Sequence, residues 1–126
     1  MVKKQGPSSR TYLVVNMSLT VDQIYEKIAD NIVSSIDHKW ETAFIDFLYF
    51  GDAAEYKGTY ISEKNSEETE FKVGYKNYKL LKELNLLTST TQKPWNHARY
   101  VLSHNGEFSV TFEWDQDLAD EIEADS

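Results

Sequence analysis

Residues 94–115 read PWNHARYVLSHNGEFSVTFEWD and contain the clearest structural signal in the chain. Asn105-Gly106 indicates a hairpin, because a two-residue type I′ turn needs a positive φ angle at both central positions. After this turn, polar and apolar residues alternate strictly, as in an antiparallel strand with one buried face and one face in water. The predicted buried face consists of Phe108, Val110, Phe112 and Trp114.

The turn also predicts how the two hairpin strands pair. A type I′ turn at Asn105-Gly106 places Val101 opposite Val110 on the apolar face. The same register places Arg99 opposite Phe112, which suits a charged side chain poorly. Two alternatives stay open: Arg99 lies at the margin of the sheet with its stem over the ring, or the register is a different one.

The region before residue 40 predicts one amphipathic helix. Thr20 with Gln23 three residues later forms a capping box, which is a signature of a helix start. Apolar residues then recur at helical spacing, so we predict a helix from Val21 to Ile36. The predicted stripe against the sheet consists of Val21, Ile24, Tyr25, Ile28, Ile32 and Ile36.

The middle of the chain predicts three strands and a second helix. Residues 40–50 are apolar at both parities, which is typical of a central strand covered on two sides or of an unusually twisted one. Further strands are predicted near residues 55–63 and 70–73, and a helix at residues 75–87. The fold class is therefore α+β, with an antiparallel sheet of about five strands packed against an N-terminal helix and a second helix.

The length of 126 residues suits one domain, which we place at residues 17–126 with an acidic C-terminal tail. Residues 1–16 are predicted to be either an upstream extension or, at Thr11 to Val15, an extra edge strand. The apolar run from Tyr12 to Val15 is shorter than the roughly 7–15 residues of a signal peptide core. We therefore expect an unexported, cytoplasmic protein.

The chain is acidic, with a formal net charge of −8 and a pI near 4.8. Nucleic acid and anionic membranes repel such a protein, so we expect neither as a partner, whereas a basic protein is attracted. Cysteine is absent, which excludes disulfides, thiolate metal sites and cysteine nucleophiles. The last stretch concentrates acids without a base: Glu113, Asp115, Asp117, Asp120, Glu121, Glu123 and Asp125.

Catalytic and metal-binding motifs are missing from the sequence. His38, His97 and His104 have no partner at zinc-binding spacing, and no phosphate loop or nucleophile elbow is present. Asp46 lies between apolar residues, where it is either a functional acid or, more commonly, a residue that faces solvent or caps a backbone donor. We expect no catalytic residues, no metal and no cofactor.

The stretch at residues 94–115 also resembles the YezG-like family of bacterial immunity proteins. The residues that carry the resemblance are Pro94, Trp95, Asn96, Gly106, Phe108, Phe112, Trp114 and Asp115. Upstream, Ile24-Tyr25, Ile28-Ala29 and Trp40-Glu41 extend it to roughly residues 20–120. The chain departs from the family at Trp114, where tyrosine is expected, and in a short helix before Pro94.

The resemblance implies a function in protection from a toxin. Such proteins bind the C-terminal domain of a cognate secreted toxin, commonly a nuclease with a basic groove, and neutralise it by occluding that groove. Combined with the charge, this predicts a partner-binding set of Glu113, Asp115, Asp117, Asp120, Glu121 and Glu123. A small enzyme using His97 or Asp46 in a cleft, or an oligomerisation domain, stays open as an alternative, and the oligomeric state stays open too.

Overall fold

The computed structural model describes residues 19–51 and 53–125. The elements are α1 (Val21–Ser35), β1 (Trp40–Tyr49), β2 (Ala54–Ser62), β3 (Glu68–Phe71), α2 (Gly74–Thr88), β4 (His97–Ser103), β5 (Phe108–Glu113) and α3 (Gln116–Asp125). The predicted α+β class with five antiparallel strands is confirmed. The expectations for residues 1–16, including a strand at Thr11 to Val15, lie outside the described residues.

The strands form one antiparallel sheet in the order β3-β2-β1-β4-β5, so β1 is central. The helices α1 and α2 cover one face, which we call the helix face, and pack on buried Ala43, Ile45 and Phe47. On the opposite face, the open face, Phe44 and Leu48 are only half-buried and lie outside the core. The predicted central position of this strand is therefore confirmed, whereas coverage of its second face is not seen among the described residues. Within that part of the chain, neighbouring side chains rather than another layer cover the apolar residues of the second face in part.

Helix α1 begins as predicted. The Thr20 hydroxyl accepts from the Gln23 backbone N–H at 3.1 Å, and the Gln23 side chain accepts from the Thr20 N–H at 2.9 Å. This capping box supplies partners for backbone donors that the first helical turn leaves unpaired. The isoleucine stripe is fully buried at Ile24, Ile28 and Ile32, which confirms its predicted orientation towards the sheet.

Helix α2 packs beside α1 through apolar and polar contacts. Leu81 and Leu84 are fully buried, as their spacing predicts. Buried Asn77 accepts from the Asn31 side chain of α1 at 3.0 Å and donates to the Val73 carbonyl at 3.0 Å. A buried amide is tolerated because both of its ends have a partner. None of the helices in the described part of the chain has the length and apolar character needed to cross a membrane.

The hairpin turn is not type I′. The Ser103 N–H donates to the Glu107 carbonyl at 2.7 Å, and the Gly106 N–H donates to the Ser103 carbonyl at 2.9 Å. Gly106 has a φ of +94°, whereas the φ of Asn105 is not positive. These features define a three-residue loop in which a type I turn is followed by a bulge at a left-handed glycine. The prediction is wrong because Asn-Gly suits both turns.

The longer loop shifts the register of the hairpin by one residue. Phe112 pairs with Ala98 rather than with Arg99, and Arg99 pairs with Thr111 on the open face. The second alternative from the sequence, a different register, is therefore the correct one. The Arg99 guanidinium lies 4.6 Å from the centre of the Phe44 ring, so the charged group stays at the surface while its stem covers apolar area.

Candidate partner-binding surface

The end of β5 is tied to β4 by the side chain of Asn96. Its Oδ1 accepts from the Asp115 N–H at 2.7 Å, and its Nδ2 donates to the Asp115 carbonyl at 2.9 Å. Asn96 is buried, so these two hydrogen bonds are shielded from water. The amide of Asn96 thus acts like one more peptide group of the ladder and sets the direction in which the chain leaves the sheet.

Trp95 connects this end of β5 to α2. Its ring is 4% exposed and lies 4.8 Å, centre to centre, from the ring of Phe112. The indole N–H donates to the Thr88 hydroxyl at 2.8 Å, so the polar edge of the ring is satisfied inside the protein. Pro94-Trp95-Asn96 therefore forms a structural junction between α2, β4 and the end of β5.

Two tyrosines hold β5 from the side of α1. The Tyr100 ring stacks on Phe108 with 5.7 Å between the centres, and its hydroxyl donates to the Tyr25 carbonyl at 2.8 Å. Burial raises the pKa of Tyr100, and nearby Asp30 and Tyr25 add to the increase. Burial, with a smaller effect of Asp22, also raises the pKa of Tyr25. Both phenols are therefore neutral near pH 7 and serve packing.

The segment predicted as an acidic tail forms the helix α3. Asp115 is its N-cap, because its Oδ1 accepts from the Leu118 N–H at 3.0 Å. Ala119 and Ile122 line a crevice together with Trp95 of the sheet end. Both are half-buried and neither is part of the main core. The helix is thus held at the periphery, mainly by its cap and a narrow apolar contact.

The six predicted partner-binding residues divide into groups once they are placed. Some of them contact known partners within the protein: Glu113 lies 3.4 Å from His97 Nδ1, Asp115 caps α3, and Asp120 accepts from the Gln116 side chain at 2.9 Å. The Asp117 and Glu121 side chains are exposed and form no hydrogen bond or ion pair with another described residue. Glu123 is exposed on the same helix. The structure brings all six to one end of the molecule, while their role in binding stays a prediction.

The charges of α3 are unfavourable for an isolated helix. Asp117 lies in the first turn, where the helix dipole favours a negative charge, but no basic residue occupies the last turn. Asp117 and Glu121 are also four residues apart, and like charges at this spacing repel each other. A basic surface placed against α3 relieves this repulsion. The helix is therefore electrostatically suited to a positively charged partner.

Large aromatic residues are exposed beside these charges. Phe108, Phe112 and Trp114 are 42%, 37% and 47% exposed, although the sequence predicts them on a buried face. Phe108 and Phe112 do lie on the helix-face side, paired with buried Leu102 and Ala98, but β5 is the edge strand of the sheet. Aromatic residues are enriched where proteins bind each other. The signal available in the sequence was the position of β5 as the last strand.

The open face carries a polar cluster that sequence reasoning did not assemble. His97 Nε2 lies 3.6 Å from Asp46 Oδ1, and Arg99 donates to both carboxylate oxygens of Asp46 at 3.3 Å. With Glu113 at the other ring nitrogen, His97 lies between two carboxylates. Of the two alternatives for Asp46, the observed position fits the residue that faces solvent, because its side chain is partly exposed. The pairing of β1 with β4, which the sequence did not predict, places Asp46 opposite Arg99 and next to His97. The observed register of the hairpin places Glu113 opposite His97.

The surface around this polar cluster is open and shallow. The surface beside Asp46 is an open depression lined by Leu48, Glu55, Tyr56 and others rather than a deep cleft. Within residues 19–51 and 53–125, no group of three or more metal-ligating side chains is arranged to hold a metal ion. His38 and His104 lie at exposed positions away from His97. The arrangement suits recognition of a polar partner better than enclosure of a substrate.

Comparison with known proteins gave no match to a family model or to a curated protein. The resemblance of residues 94–115 to YezG-like immunity proteins therefore stays a prediction. It is carried by residues whose structural positions are now defined, above all the junction at Trp95 and Asn96 and the cap at Asp115.

Proposed function

We propose that this chain is an immunity protein that binds and neutralises the C-terminal domain of a cognate secreted toxin. The carrying observation is the acidic helix α3, which follows directly on the exposed aromatic residues Phe112 and Trp114 at one end of the molecule. Aromatic anchors beside a charged rim are typical of protein interfaces. We call this surface, consisting of Phe112, Trp114 and α3, the acidic end.

The proposed mechanism is occlusion. A nuclease domain binds phosphate through a basic groove, and a row of carboxylates can occupy the same groove. Asp117 and Glu121 steer the association, while Phe112 and Trp114 exclude water at the centre of the contact. The chain acts in the cytoplasm by occupancy, without catalysis, cofactor, metal or nucleic acid of its own.

The test uses the C-terminal domain of the toxin encoded beside the gene of this chain. Co-expression should protect cells from that domain, and the purified proteins should form a complex. The double variant Asp117→Asn, Glu121→Gln removes two negative charges from α3. It should associate with the toxin domain several-fold more slowly at low salt, and its association rate should depend less on salt. The reason is that salt screens electrostatic steering, over about 8 Å at physiological ionic strength. Stopped-flow mixing across a salt series measures this.

The matched control removes two charges at the opposite side of the sheet. Glu63→Gln with Glu68→Gln changes the net charge equally, at exposed positions that lie on and before β3. These variants should associate at close to the wild-type rate. Equal slowing by both pairs would reduce the effect to net charge alone and would remove the acidic end from the proposal.

A second candidate function, a small enzyme, is favoured by the contact between His97 and Asp46 on the open face. Replacing His97 by alanine separates the two functions when protection and complex formation are both measured. A folded His97→Ala chain that binds the toxin domain but no longer protects would favour catalysis. Under the immunity proposal, His97→Ala keeps both within a few-fold, as do His38→Ala and His104→Ala.

A further inference from the structure

At the outer edge of β5, backbone groups next to apolar side chains have no hydrogen-bond partner among residues 19–51 and 53–125. The Ser103 N–H donates to the Glu107 carbonyl, which fixes the hydrogen-bonding pattern of the hairpin. In this pattern the odd-numbered residues of β5 direct their backbone N–H and C=O groups towards β4. Hydrogen bonding alternates along an antiparallel strand, so Phe108, Val110 and Phe112 direct their N–H and C=O groups away from the sheet. A row of such groups is a template for pairing with another strand.

The edge at β3 also has outward backbone groups but differs in its length and in the side chains beside them. β3 has four residues, and the Ser62 N–H bond to the Glu67 carbonyl makes Glu68 and Glu70 the residues with outward backbone groups. Glu70 also lies 3.9 Å from the Lys57 ammonium group. A short edge with charged side chains resists strand addition. β5 has six residues, contains neither lysine nor proline, and has apolar side chains at its outward positions, so its own sequence protects it less.

We infer that the edge of β5 accepts an extended segment of a partner protein, which adds a sixth strand to the sheet. The segment has apolar residues on the helix-face side, where Phe108 and Phe112 are exposed, and basic residues on the open-face side, where Glu107 and Glu113 flank the strand. Main-chain hydrogen bonds supply affinity in such an arrangement, and alternate side chains supply specificity. Naming the toxin domain as the source of this segment rests on the proposed function.

A second copy of this chain fits the edge less well. Antiparallel pairing of two β5 strands centred on Val110 places Phe108 opposite Phe112, which is favourable. It also places Glu107 of each copy opposite Glu113 of the other, and like charges directly across a ladder are destabilising. α3 then adds further acidic residues to both sides. Charge complementarity therefore selects a basic segment.

The first experiment needs no toxin. The probe is an end-capped peptide of eight alternating lysine and valine residues, and its control replaces each lysine by glutamate. Amide exchange measured by NMR on the full chain should slow about tenfold or more at Phe108, Val110 and Phe112 when the basic peptide saturates the chain. The outward amides of Glu68 and Glu70 in β3 serve as the internal control and should exchange at unchanged rates.

The second experiment removes a single outward N–H. Val110→Pro takes away a donor that β4 does not use, because proline is tolerated where an edge strand faces solvent. The peptide should bind Val110→Pro about tenfold more weakly than wild type, corresponding to loss of a backbone hydrogen bond. The matched variant Val110→Ala keeps the N–H and should bind within about threefold. If Val110→Pro does not fold, exchange in the wild-type chain decides.

The outcomes that overturn the inference are distinct. Unchanged exchange in β5 with saturating basic peptide would exclude strand addition. If the chain forms a concentration-dependent dimer in which the β5 amides exchange slowly, the edge is occupied by a second copy. If these amides exchange slowly in the free monomer, and deleting residues 1–16 makes them exchange fast, the edge is occupied by the chain itself. Toxin neutralised equally by Val110→Pro and wild type would end the inference and leave the proposed function intact.

Discussion

The two edges of the sheet are anchored alike and exposed differently. At β3, the Phe71 ring packs so closely on Gly58 that a Cβ atom there would lie 2.8 Å from it. At β5, Phe112 packs on Trp95 and Phe108 stacks on Tyr100. Both strands are thus held by aromatic contacts on the helix face. At β3 the residues with outward backbone groups are themselves glutamates, whereas at β5 they are Phe108, Val110 and Phe112.

This difference indicates where the molecule tolerates contact. Proteins generally protect the edges of their sheets, because free backbone groups invite pairing with other chains. Here the β3 edge is protected by glutamates, which shows that a stable sheet of this fold can have charged residues at an edge. The stability of the sheet therefore does not explain the apolar character of the β5 edge. An unprotected edge beside exposed Phe112 and Trp114 suits binding. The following changes test each edge separately.

The largest effect is expected for Asn96→Ala, which breaks the end of β5. The change removes two hydrogen bonds to Asp115 and leaves its backbone groups poorly satisfied, so we expect a loss of about 3 kcal/mol in the free energy of unfolding. Urea unfolding measures this. Asn65→Ala, which removes an exposed acceptor for the Glu67 N–H in the turn before β3, is the control and should cost under about 1 kcal/mol. Equal losses of stability for Asn96→Ala and Asn65→Ala would mean that the hydrogen bonds from Asn96 do not hold the end of β5.

The next effect is expected at the other edge, for Gly58→Ala. The new Cβ would lie 2.8 Å from both the Phe71 ring and a methyl group of Val73, so these side chains must move. We expect a loss of about 2 kcal/mol, typical of overpacking. Thermal unfolding and the dispersion of β3 resonances report it, with Thr59→Ala on the open face as control. Wild-type stability would show that β3 is not anchored through Gly58.

A smaller effect tests the turn that sets the register of β5. Gly106→Val places a β-branched residue at a φ of +94°, with no atom within 4 Å of the new Cβ. Backbone strain alone should therefore cost about 1–2 kcal/mol. Asn105→Val separates the two turn types, because only type I′ requires a positive φ at this position. In the observed turn it should cost about 0.5 kcal/mol, for the loss of the exposed hydrogen bond that the Asn105 side chain accepts from the Glu107 N–H. Comparable losses for both variants, measured by chemical unfolding, would restore the type I′ turn.

The smallest effect at neutral pH is expected for Tyr100→Phe, which removes the hydrogen bond to the Tyr25 carbonyl and costs about 1 kcal/mol. The raised pKa of Tyr100 makes its contribution depend on alkaline pH. Above pH 10 the unfolded chain loses this proton first, so wild-type stability falls as pH rises. The variant should lose less stability between pH 9 and 11. Parallel curves for both proteins would contradict the assignment.

The sequence could predict much of the fold because local signals and tertiary packing agree there. Thr20 and Gln23 cap α1 through their own backbone, without help from distant residues. The register of the hairpin is different, since Asn105-Gly106 is compatible with two loop lengths. The misplacement of Arg99 was the available warning. Helix α3 was missed because the backbone of its cap, Asp115, is held by the side chain of Asn96, which is distant in sequence and precedes β4.

The candidate site could be predicted only in part. The acidic residues can be read directly from the sequence, and the structure places them at one end of the molecule, while their role in binding stays a prediction. Which of them have internal partners depends on tertiary contacts, as with Glu113 beside His97 and Asp120 beside Gln116. Phe108 and Phe112 are exposed on a strand that lies at the edge of the sheet. Alternation within one strand does not show whether that strand is central or at an edge.

The bulge at Gly106 decides which surface of the molecule is aromatic. Strand residues alternate between faces, so a two-residue turn in place of the three-residue loop, at unchanged chain length, would exchange the faces of the whole of β5. Ser109 and Thr111 would then turn towards the helix face, and Phe108 and Phe112 would turn towards the open face. Substitutions within β5 alter this edge one side chain at a time, whereas a change of turn type at Asn105-Gly106 would replace its chemistry in one step.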